Sequence, residues 1–205
     1  MGLSAERIRE SMDALAAIEP GFAAGLERVG YPEPRISAPG YVTLLRTIVG
    51  QQVSVAAARA IYAKLEAAVG EASDPAALIA TSDEALRGAG LSRQKISYAR
   101  SLAEQVASGQ LDLSNLAEAD EAAIAQLVAI RGIGRWSAEI YLLFAEGRRD
   151  IWPAGDLAVQ IELGRLLALP EKPGERLART LSAGWSPHRG ALAIFCWHHY
   201  RTPVL

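Results

Sequence analysis

Apolar residues recur along this chain at spacings of three and four, and nowhere do they alternate with polar ones over the length of a strand. The pattern predicts an all-α protein with candidate helices over 4–17, 21–29, 40–49, 53–69, 74–80, 82–89, 93–108, 120–130, 134–146, 156–168, 173–183 and 187–201. Local chemistry punctuates these segments. Asp74-Pro75 and Ser186-Pro187 each read as a cap followed by proline at the first helical position, and Thr81 with Glu84 fits a capping box.

The most informative stretch runs from Leu127 to Ala138. Ile124, Leu127 and Ile130 end one amphipathic helix, Ile140, Leu143 and Phe144 lie on the next, and Ile133 stands between them inside a Gly132-Ile133-Gly134 turn. Together they predict a helix-hairpin-helix over about 120–146, closed by one apolar seam. Gly132 and Gly134 can take positive φ and leave their amides unshielded, so the turn offers N–H groups to an anion at the start of the helix near Arg135. Such contacts grip nucleic acid without reading it. A dinucleotide fingerprint is excluded, because that motif follows a strand and this one follows a helix.

Downstream, Trp152-Pro153-Ala154-Gly155 breaks the chain just ahead of a new helix and sets Asp156 at its N-cap. A helix cap explains an isolated aspartate there. Paired with a hairpin at this spacing, it is more than a cap and becomes a candidate functional residue.

Composition narrows the classes. Half of the 205 residues are apolar, but no run is long enough for a membrane span, and the N-terminus mixes charges without an apolar signal region; a cytoplasmic protein with no membrane partner is expected. The single cysteine, Cys196, sits in an apolar helix and excludes a four-cysteine iron–sulfur cluster. A net charge of −2 argues mildly against nucleic acid, yet 131–149 carries Arg131, Arg135, Arg148 and Arg149 against only Glu139 and Glu146. His198 and His199, adjacent on one helix, diverge by about 100° and make no metal pair.

Further segments extend the pattern: Ile48-Val49-Gly50-Gln51-Gln52-Val53-Ser54, Gly90-Leu91-Ser92-Arg93-Gln94-Lys95 through Tyr98, and Trp185-Ser186-Pro187-His188-Arg189. With the hairpin and Trp-Pro-Ala-Gly-Asp, this ordered set resembles the helix-hairpin-helix DNA glycosylase superfamily, and within it the 3-methyladenine DNA glycosylase II branch. The resemblance implies two helical lobes, 31–145 with the hairpin and 1–30 with 146–205, and a base-accepting, DNA-binding cleft between them that Asp156 faces.

The same resemblance implies the site. Asp156 stabilises the positive sugar and positions water; Gln52, or Gln51 beside it, wedges into the duplex; Trp136, Tyr141, His188 and Trp152 line the base pocket. The amides of Gly132 and Gly134, with Arg135 and Ser137, hold phosphate. The backbone carbonyls of Val128, Ile130 and Ile133 hold Na⁺ or K⁺ when DNA is bound, and no other cofactor is expected. The expected partner is double-stranded DNA containing alkylated bases, acted on by a monomer. Strand-cleaving relatives carry a lysine where this chain has Trp136, so a monofunctional enzyme is expected. A non-catalytic hairpin module is the competing reading, and it has no need of Asp156. Which alkylated base is preferred stays open.

Overall fold

Serine and aspartate side chains set the helix starts. Ser4, Ser54, Ser82 and Ser92 each accept the backbone N–H three residues on, at 3.2 Å, and Asp74 accepts that of Ala76 at 2.9 Å. Each such cap is worth about 1 kcal/mol. The computed structural model describes residues 2–202. Within them the α-helices are α1 (Ala5–Ile18), α2 (Pro20–Val29), α3 (Tyr41–Gly50), α4 (Val55–Val69), α5 (Pro75–Ala80), α6 (Asp83–Gly88), α7 (Arg93–Ala107), α8 (Asp120–Val128), α9 (Arg135–Tyr141), α10 (Leu157–Leu166), α11 (Glu175–Leu181) and α12 (Arg189–Arg201). A π-turn, Leu142–Glu146, continues α9, and a 3-10 turn, Ser182–Trp185, continues α11. No strand occurs among the described residues, and no helix is long and apolar enough to cross a membrane.

Two expected caps move. The cap of α6 is Ser82, not Thr81, whose hydroxyl instead donates back to Ala77 O at 2.8 Å and closes α5. Ser186-Pro187 does not open α12, which starts after His188; the Ser186 hydroxyl donates to Asp150 Oδ2 at 2.7 Å. Both errors have one cause: a hydroxyl can bond to neighbours on either side of it, and sequence does not say which.

The chain divides into two helical units, residues 38–141 and residues 1–37 with 142–205. The divisions fall inside the 31–145 span read from the sequence. The segment before Ala38 goes with residues 142–205, and Ser37 N–H donates to Phe144 O at 2.9 Å within that unit.

In the 38–141 unit, α3 packs against α4, α7 and α9, while α7 also receives α5 and α6. Leu44, Leu45, Ile48, Leu65, Leu78, Leu86, Leu102, Leu127 and Ile130 are buried there. α8 packs on α9 with Ile133 buried in the turn, and Ile124, Leu127 and Ile130 are buried as read from the sequence, but Leu143 and Phe144, read as part of the same seam, belong to the other unit, where Phe144 packs on Trp197.

In the other unit, α12 lies against α10, α1 and α2. Its core includes Ile8, Met12, Leu15, Phe22, Leu163 and Phe195. A polar trio runs into that core from an exposed arginine: Arg28 on α2 bonds the buried His199 at Nε2, and His199 Nδ1 bonds the buried Glu162 on α10. Arginine can only donate, so Nε2 accepts and the imidazole proton sits on Nδ1, facing the carboxylate. Burial lowers the His199 pKa, against the opposing pull of the Glu162 bond and charge, in keeping with a neutral ring.

Candidate nucleic-acid interface and catalytic carboxylate

The hairpin turn places its two glycines under different demands. Gly132 has φ of +88°, and a Cβ there would lie 2.2 Å from the Tyr98 ring. Gly134 is not at positive φ, contrary to expectation, and a Cβ on it would meet nothing within 4 Å. Gly132 therefore serves the fold, whereas nothing in the protein requires glycine at 134. The first i→i−4 bond of α9 runs from Ala138 N–H to Gly134 O at 3.0 Å, so the turn leads directly into the N-terminus of α9.

Arg135 is engaged within the protein. Its guanidinium forks onto Glu121 and donates Nε–H to Glu139 Oε1 at 2.9 Å, and the Glu121 bond is the main reason its pKa is raised. A phosphate would have to compete with two carboxylates for that side chain. Of the carbonyls expected to bind a cation, Ile130 O already accepts Ile133 N–H at 3.0 Å, which leaves one lone pair.

Gln51 and Gln52 take separate roles. Gln51 Nε2 donates to Gly132 O at 2.8 Å and ties the α3–α4 connection to the hairpin. Gln52 is exposed and has φ of +56°. That conformation costs a non-glycine residue about 1–2 kcal/mol. The two glutamines, Lys95, Tyr98 and Gly132 line one cavity of about 380 Å³. The Gly90–Tyr98 segment of the sequence pattern thus meets the hairpin here. Lys95 Nζ donates to Val49 O at 2.7 Å, and burial pulls its pKa below the ordinary lysine value.

In the other unit, Asp156 N-caps α10 as expected: its Oδ1 accepts Val159 N–H at 3.0 Å. The same oxygen accepts Trp197 Nε1–H at 3.1 Å, a contact that sequence reasoning missed because 41 residues separate the pair. Just upstream, Asp150 is gripped by Arg189, Nε to Oδ1 at 2.8 Å and Nη2 to Oδ2 at 2.5 Å. Burial pushes the Asp150 pKa up, but the bonds from Arg189 and Ser186 and the Arg189 charge outweigh it, and the carboxyl lies below its usual range.

The expected pocket aromatics scatter by exposure. Trp136, on the first turn of α9, is 49% exposed. Tyr141 ends that helix buried, its hydroxyl accepting Gly40 N–H at 2.7 Å. Trp152 is buried edge-on to Trp185 with ring centroids 6.4 Å apart, and its Nε1–H donates to Ala178 O at 3.3 Å; that is core packing of the 1–37/142–205 unit. His188 caps α12, with Nδ1 buried and unbonded. His198 Nε2 and His199 Nδ1 bond Val29 O and Glu162, and no cluster of metal-ligating side chains occurs among the described residues.

Residues 45–187 match the family described as HhH-GPD superfamily base excision DNA repair protein. The chain belongs to this superfamily. Within it, the sequence falls in the 3-methyladenine DNA glycosylase II branch. It is 32% identical over 161 residues to DNA-3-methyladenine glycosylase 1 of Schizosaccharomyces pombe, covering 77% of this chain and 71% of that one. The crystal structure of a DNA-3-methyladenine glycosidase from Bacillus halodurans superposes with a TM-score of 0.86 at 34% identity, over 94% of this chain and 89% of that one. The S. pombe enzyme Mag1, solved in complex with abasic DNA, gives a TM-score of 0.76 at 27% identity, over 94% and 95%.

Proposed function

We propose that this HhH-GPD protein is a monofunctional DNA glycosylase that removes alkylated bases from double-stranded DNA. One observation carries the reading. An aspartate following Trp-Pro-Ala-Gly caps α10 and has one carboxylate oxygen held by two N–H donors, in a chain of a base-excision repair family. A non-catalytic hairpin module has no use for such a group.

The chemistry follows from the leaving group. A base alkylated at a ring nitrogen is cationic, so when the C1′–N bond breaks its electron pair returns to the base and neutralises it, and no acid is needed. The sugar becomes oxocarbenium-like, and the Asp156 carboxylate stabilises that charge and orients the water that attacks C1′. The water proton passes to the carboxylate or to solvent, leaving an abasic sugar.

The base must leave the stack first. The exposed, left-handed Gln52 supports assigning it as the wedge, with Gln51 as its anchor to the hairpin. Backbone strain of this kind persists where its surroundings hold it and is common at functional sites. Half-exposed Trp136 on α9 is the candidate to stack on the extruded base. The Gly134 turn and the α9 amides would take phosphate. Neutral carbonyls suit Na⁺ or K⁺, and those of Val128, Ile130 and Ile133 would hold such an ion, which would add positive charge to the hairpin.

The test is a panel of duplexes, each with one alkylated base, assayed for abasic sites with and without alkali. Excision of at least one cationic lesion is expected. Binding without excision across the panel would return the protein to the non-catalytic reading.

A further inference from the structure

Two polar contacts join α12 to α10. One is the buried His199–Glu162 pair; the other is Trp197 Nε1–H to Asp156 Oδ1 at 3.1 Å. Trp197 and His199 are close on α12, while Asp156 and Glu162 bracket the first turns of α10. Sliding one helix along the other would break a bond to a fully buried carboxylate, so the register that brings the indole to Asp156 is fixed. The ring itself is braced. It packs on Phe144 with centroids 5.6 Å apart, and the Arg35 guanidinium stands over the Phe144 ring at 5.7 Å.

An N-cap bond alone restrains an aspartate weakly, because its terminal torsion is broad. A second N–H, delivered from a different helix to the same oxygen, fixes the plane of the carboxylate. Resting on the glycosylase reading of Asp156, we infer that Trp197 is a positioning residue for the reaction. Its indole N–H holds the carboxylate in the orientation that faces the developing sugar cation and the attacking water.

The full-length protein and a duplex carrying one alkylated base provide the test. Trp197→Phe keeps an aromatic ring against Phe144 and removes the donor. Its single-turnover excision rate should fall roughly tenfold to a hundredfold, the worth of a hydrogen bond to a charged group, while its lesion-duplex Kd stays within about threefold. Trp197→His restores a donor, because imidazole Nε2–H lies two bonds from Cγ as indole Nε1–H does, and it should recover most of that loss. Rates are compared at a temperature where thermal unfolding shows all variants folded. A wild-type rate for Trp197→Phe, or equal losses for the Phe and His variants, overturns the positioning role. Asp156→Asn run alongside separates the two claims: if it still excises, the reading of Asp156 is wrong, whereas an inactive Asp156→Asn beside an unimpaired Trp197→Phe removes only the role of Trp197.

Discussion

Gly132 and Gly134 stand on either side of Ile133, and a single methyl group should separate their duties. Gly132→Ala drives a Cβ into the Tyr98 ring at a positive φ, which should cost roughly 2–5 kcal/mol of stability in urea unfolding. Gly134→Ala should leave stability within about 0.5 kcal/mol. Gly134→Asp should fold normally and weaken binding to damaged and undamaged duplex by similar factors, since a phosphate contact carries no base information. Normal binding of undamaged DNA by the folded Gly134→Asp protein would show that the hairpin is not the anchor. The sequence showed both glycines and the need for an open turn. It could not show which one the Tyr98 ring presses on, because that contact depends on how α7 packs.

Helix positions were legible because capping chemistry is local. Asp74 and Asp156 cap where the pattern placed them, the cap of α6 shifts by one residue from Thr81 to Ser82, and Ser54, read as part of a helix over 53–69, caps that helix instead. Contacts between distant helices were not legible. Arg28 and His199 are 171 residues apart, Trp197 and Asp156 are 41 apart, and no spacing rule connects them. The Asp150–Arg189 fork, which ties the approach to α10 to the start of α12, belongs to the same class. Because the folded Asp150 pKa is depressed, its contribution is fully present above the unfolded value, near 3.9, and is lost as pH falls through the folded value. Asp150→Asn should therefore lower stability by about 1–2 kcal/mol at pH 7, discounted for partial exposure, and the wild-type advantage should shrink in thermal unfolding below about pH 4. An advantage that persists undiminished at pH 2 would show that the ion pair is not its source.

Over the whole molecule, charge and nucleophile inventory shape what the reaction can be. A net charge of −2, with Arg135 and Arg148 paired to glutamates, gives the hairpin region less free positive charge than its arginine count implies. Binding must then lean on backbone amides. The lysines are Lys64, Lys95 and Lys172. Lys95 donates to Val49 O and Lys172 to Gln160 Oε1 at 2.8 Å, so each of those amines is committed within the fold. With water as the nucleophile, the product should be an intact abasic strand that breaks only with alkali or heat. Borohydride added to protein and abasic DNA should trap no adduct; an efficient adduct that survives blocking of the N-terminal amine would point to a Schiff-base lyase.

Everything proposed for catalysis converges on the Asp156 carboxylate, and Asp156→Asn deletes its charge while keeping its shape. The decisive measurement is single-turnover excision of whichever lesion the wild type removes fastest, with lesion-duplex binding measured in parallel. Excision by the variant should fall by about 10² to 10⁴, with affinity within several-fold of wild type. Excision within about tenfold of the wild-type rate, by a variant that binds normally, would contradict the account.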